Sequence, residues 1–147
     1  MGKSEEKEIF NASEQHELSH AIGLAENHTS GEIQVCVERL CDGEPFERAK
    51  YYFEKLGMDK TALKNGVLFY VAVDAHKFAI IGDKGIDAKV PKDFWEEIKE
   101  TMKLHFANNH LVEGLIAGID MAGQQLKHYF PVDDDDINEL PNQVIQF

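Results

Sequence analysis

Apolar and polar residues alternate from residue 32 to residue 40. Ile33, Val35 and Val37 fall on one side, and Gln34, Cys36 and Glu38 on the other. A period of two is that of a β-strand, here with one face more polar than the other. Over residues 67–73 both parities are apolar, as in a central strand covered on both faces. Asp74-Ala75-His76 then makes a tight turn into a return strand over 77–81. Helical spacing appears first at Leu18, Ala21, Ile22 and Ala25, which predicts a helix over 13–27 with Ser13 as its N-cap. Pro45 opens a second helix that ends before Gly57. Pro91 and Asp93 begin a third, through about Phe106, and Leu111, Leu115, Ile119, Ala122 and Leu126 mark a fourth.

This order contains one strand–helix–strand unit, hence a right-handed parallel crossover, followed by a hairpin. The expected architecture is an α/β/α sandwich, with a small mixed sheet (parallel crossover plus antiparallel hairpin) between helical layers. Residues 1–130 read as one domain. Residues 131–147 read as an acidic tail, because Asp133, Asp134, Asp135, Asp136 and Glu139 stand there without Lys or Arg.

Charge narrows the set of partners. Of 147 residues, 27 are acidic and 15 basic, so the net charge of −12 repels phosphate backbones and favours cations over nucleic acid. No run approaches the ~20 apolar residues of a membrane span. No export signal or anchor is visible either, and the expected location is the cytoplasm. Cys36 and Cys41, on or beside a strand, are expected to be reduced thiols.

The most conspicuous motif is His16-Glu17-Leu18-Ser19-His20, the H-E-x-x-H pattern of zinc proteases. At about 100° per residue, His16 and His20 lie opposite the apolar stripe of their helix, on the solvent side. The start at residue 16 leaves no room upstream for a substrate-binding sheet. A zinc protease is therefore a remote alternative. Asp134, Asp136 and Asn138 imitate the start of a calcium EF-hand loop, but Glu139 replaces its Gly and Ile145 its bidentate Glu. Arg48 follows Cys41 one residue too late for a cysteine-phosphatase loop, and Asp74 lacks the second Asp of an aspartyl-phosphatase motif.

Sheet geometry draws attention to the loops. If the first two strands are parallel, Glu32 and Gly66 share one edge, and the hairpin returns residues 82–87 to it. That edge gathers the carboxylates of Glu32, Asp83 and Asp87 with hydroxyls, an amide and glycine backbone, a donor set suited to Ca²⁺, with Mg²⁺ second. The opposite edge offers Asp42 and Asp74 as the second choice.

At these loops the sequence resembles the TPM domain family, whose members include thylakoid-lumen acid phosphatases involved in photosystem II repair. The resemblance rests on Thr29-Ser30-Gly31-Glu32-Ile33, on Asn65-Gly66-Val67-Leu68 with Val71-Ala72-Val73, and on Ile81-Gly82-Asp83-Lys84-Gly85-Ile86. Tyr129-Phe130-Pro131 and Asn138-Glu139-Leu140-Pro141 are similar to its short bacterial branch, and the likeness spans about residues 9–141. It implies an α/β/α sandwich, a calcium site and an acid phosphatase-like phosphomonoesterase activity. The leading expectation is a divalent-cation-binding domain with weak metal-assisted phosphatase activity, Ca²⁺ or Mg²⁺ bridging Glu32 and Asp83. No residue announces itself as nucleophile or base. The alternative is a non-enzymatic adaptor whose acidic surface or sheet-edge loops bind a protein partner.

Overall fold

The computed structural model describes residues 9–132 and 144–147. Its sheet has the order β3-β2-β1-β4, with β1 at Glu32–Glu38, β2 at Gly66–Ala72, β3 at Lys77–Gly82 and β4 at Val144–Gln146. β1 runs parallel to β2 and to β4, and β2 pairs antiparallel with β3. The parallel crossover and the hairpin stand as the pattern predicts.

Parity along the strands separates two cores. Val35, Val67 and Phe69 pack with Leu18 and Ile22 of α1 (Ala12–Glu26), Ile98 and Met102 of α4 (Glu96–Ala107), and Leu115 and Ile119 of α5 (Leu111–Leu126). On the other face Cys36, Leu68, Tyr70 and Ala79 pack with Ala49, Tyr52 and Phe53 of α2 (Pro45–Lys55) and with Met58 of a short 3₁₀ turn, Met58–Lys60. The result is an α/β/α sandwich. All seven residues of β2 are buried, which is why both of its parities are apolar. All seven of β1 are buried too, so its polar parity needs partners inside the protein.

Four local features differ from the sequence reading. Asn11, rather than Ser13, caps α1: its side chain accepts the Glu14 N–H, and the Glu14 carboxylate accepts the Asn11 N–H, forming a capping box. The third predicted helix begins only at Glu96, after a turn over 92–95. Asp83 opens a one-turn helix, α3 (Lys84–Asp87), where only a turn was expected. Val144–Gln146, within the stretch that composition assigns to an acidic tail, pairs as β4 with Val35, Cys36 and Val37. Asp133 to Asp136, Asn138 and Glu139 lie outside the described residues. Cys36 and Cys41 are both buried and unbridged. Among the described residues no helix is long and apolar enough to cross a membrane.

Candidate functional site

Strand register builds one row of the site. Glu32 stands opposite Gly66, and the hairpin register that pairs Val67 with Gly82 brings Asp83 to the other side of Gly66, whose carbonyl accepts the Asp83 N–H at 3.0 Å. Glu32 and Asp83 are thus two strand spacings apart, roughly 9–10 Å between backbones, on one face of the sheet. Between them is a residue with no side chain. A Cβ on Gly66 would lie 3.3 Å from the Met58 carbonyl oxygen, which places the row on the α2 side of the sheet. Glu32 and Asp83 are both buried.

Asp83 carries the clearest electrostatic feature. Its Oδ1 accepts the Lys84 N–H at 2.7 Å, whereas its Oδ2 is buried without a hydrogen-bond partner. Leaving a buried charged acceptor unpaired costs about 1–3 kcal/mol or more. The loop before β2 leans on this turn, since the Gly85 N–H donates to the Lys64 carbonyl at 2.7 Å. A Cβ on Gly85 would lie 2.4 Å from the Leu63 carbonyl oxygen, so only glycine permits the approach. Lys64 holds the loop in a left-handed conformation, with φ at 53°. Within the same loop, Asp59 Oδ1 and Thr61 Oγ1 are likewise buried without a hydrogen-bond partner. Sequence reasoning missed both residues. Their only signal was a polar loop directly before Asn65-Gly66.

Asp87 is exposed, and its backbone N–H donates to the Asp83 carbonyl at 3.1 Å. Partial burial and the neighbouring Asp83 charge hold its carboxyl above the usual aspartate range. Glu26, at the end of α1, is a further carboxylate close enough to Glu32 to feel its charge. The Glu32 N–H turns toward Asn65 of the β2 side, so the Ile33 N–H faces the β4 side, ahead of where β4 begins. Glu26 Oε2 accepts that N–H at 2.8 Å. Burial, reinforced by the Glu32 charge, pushes the Glu26 carboxyl up to about 7 despite this hydrogen bond.

At the opposite edge Asp42 and Asp74 are both exposed, and Asp74 faces Arg39 at 3.8 Å. The buried group there is Glu38. Arg48 grips it through Nε at 2.8 Å and Nη2 at 3.2 Å, Tyr52 donates to it at 2.8 Å, and Tyr70 donates to its other oxygen. This network satisfies both oxygens of Glu38 and occupies Arg48. Burial raises the thiol pKa of Cys36, and the Glu38 charge raises it further, so Cys36 stays protonated and weakly nucleophilic.

His16 and His20 are exposed on the outer side of α1, as the stripe argument expects. Among the described residues, no three His, Cys, Asp or Glu side chains are gathered closely enough to hold a metal ion. The described site residues supply Glu32 and Asp83 in one row and Asp87 at its rim, with the Asp59 carboxylate and the Thr61 hydroxyl in the loop before β2.

The model of the TPM domain matches residues 4–125. No curated protein matches the chain. Among solved structures, the NMR structure of the BA42 protein from the psychrophilic bacterium Bizionia argentinensis is similar throughout. It has 44% identity, a TM-score of 0.90 and complete coverage of both chains. With most of its length matched by the family model and its full length by this structure, the chain belongs to the TPM domain family.

Proposed function

We propose that this TPM domain binds a divalent cation, Ca²⁺ before Mg²⁺, at the row formed by Glu32, Gly66 and Asp83, with Asp87 at its rim. The observation that carries the reading is the Asp83 oxygen buried without a donor. A cation there would satisfy it. In the loop before β2, Asp59 Oδ1 and Thr61 Oγ1 are also buried without partners. Two buried carboxylates with carbonyls, a hydroxyl and water suit a hard cation that accepts six to eight oxygens, and suit zinc poorly. The elevated carboxyl of Asp87 supports the reading too, because an added positive charge would relieve its repulsion with Asp83.

Phosphatase activity is the finer part of the proposal. A bound cation would supply charge to a phosphoryl oxygen, the main requirement of a loose phosphoryl-transfer transition state. Cysteine chemistry is disfavoured, because Cys36 is buried with a raised pKa and Arg48 is committed to Glu38. Turnover should be slow, and unaffected by Cys36→Ser with Cys41→Ser. The test is thermal unfolding with and without millimolar Ca²⁺, for wild type, Glu32→Gln and Asp83→Asn. Binding to the folded state at 100 times Kd raises stability by about 2.7 kcal/mol, a gain that Asp83→Asn should largely remove. An unchanged melting temperature in wild type refutes the site. A gain that survives Asp83→Asn but is lost in Asp74→Asn moves the cation to the other edge.

A further inference from the structure

A second concavity lies outside the carboxyl end of β2, away from the carboxylate row. Its volume is about 370 Å³, within the range of small-molecule sites. Val71, Phe78, Phe106 and Leu111 provide its apolar walls, and the Phe78 and Phe106 rings meet edge to face at 5.1 Å. The hairpin turn at His76 and the α4–α5 turn at Asn109, both with left-handed backbone, close its ends.

The chain carries −12, yet no carboxylate lines the cavity, while Lys103 and His76 do. Lys77 also borders it, but its ammonium is spent on the Gly43 carbonyl at 2.8 Å. Lys103 is exposed and has no ion-pair partner among the described residues. An apolar cavity bordered by a lysine without an ion-pair partner suits a ligand with one anionic end and an apolar body. From these features we infer that this cavity binds a small amphipathic carboxylate, its aliphatic or aromatic body against the paired Phe78 and Phe106 rings and its carboxylate on Lys103.

The test is an amide NMR titration of the intact chain with decanoate and, separately, with decanol. Saturable shifts are expected at Val73, His76, Phe106 and Asn109, with decanoate binding more tightly than decanol. Lys103→Gln, an exposed change, should weaken decanoate about tenfold, as loss of a charge-assisted hydrogen bond does, and leave decanol unchanged. Ala107→Phe, at an exposed position on the rim, should abolish both. The inference is overturned by an absence of saturation up to about 5 mM. Shifts mapping elsewhere, or equal affinities for the acid and the alcohol in wild type, overturn it as well.

Discussion

Replacing Arg48 by Met tests what holds the polar face of β1 inside the protein. Burial works to raise the Glu38 pKa, but hydrogen bonds from Arg48, Tyr70 and Tyr52 together outweigh it, so the carboxyl lies below the usual glutamate range. The side chain of Glu38 is 10% exposed and that of Arg48 38%. Breaking a fully buried pair costs about 3–5 kcal/mol, and an exposed one about 0–1. The half-exposed arginine and the two remaining tyrosine hydroxyls put Arg48→Met between these limits, at about 2 kcal/mol. For a domain of this size that corresponds to roughly 4–8 °C in Tm. The sign with pH follows from the depressed pKa. Glu38 contributes stability above its unfolded value of 4.5, and this is lost as pH falls through the lower folded value. Protonated Glu38 has little use for Arg48, so the gap between wild type and variant should narrow from pH 5 to pH 3. Urea unfolding across pH 3–7 measures it. A gap that stays constant would assign the effect to the arginine's stacking over the Tyr51 and Tyr52 rings. No loss at pH 7 would refute the reasoning altogether.

Glu26 behaves in the opposite sense. Its folded pKa of about 7 lies above the unfolded 4.5, so stability falls as pH rises between those values, by up to about 3 kcal/mol. Glu26→Gln, which keeps an acceptor for the Ile33 N–H, should match wild type near pH 4.5 and exceed it at pH 8. An unaltered pH profile by urea unfolding would contradict this. Gly85→Ala should destabilise by about 1–3 kcal/mol, because its Cβ meets backbone carbonyls rather than yielding side chains; calorimetry would read the loss. Removing residues 144–147 deletes β4 and the Phe147 ring stacked on Tyr52 at 4.5 Å. Hydrogen exchange should then quicken along β1, and unchanged protection would show that β4 adds nothing.

The elements that could be read from the sequence were those whose burial is written in a local period. The alternation of β1, the double-sided apolar run of β2 and the stripe of Leu18, Ile22 and Ala25 correspond to surfaces that are buried. β4 could not be read that way, because three residues after an acidic stretch carry no usable period and are held by pairing with β1. Ser13 misled because Asn11 offers the same chemistry two residues earlier and has Glu14 as its capping-box partner. The edge carrying Glu32 and Asp83 was legible, since topology alone brings those loops together. Glu26, Asp59, Thr61 and the Glu38–Arg48 pair were not, because their relations run between elements and follow no motif spacing.

Whether the Glu32–Gly66–Asp83 row holds a cation is decided by a residue-resolved Ca²⁺ titration of wild type and Asp83→Asn. Saturable amide shifts are expected in wild type, centred on residues 30–33, 58–66 and 82–87. These shifts should be lost in Asp83→Asn, whose fold stays intact. Shifts centred on Asp42 and Asp74, or a wild-type spectrum unchanged at millimolar Ca²⁺, would contradict a cation site in that row.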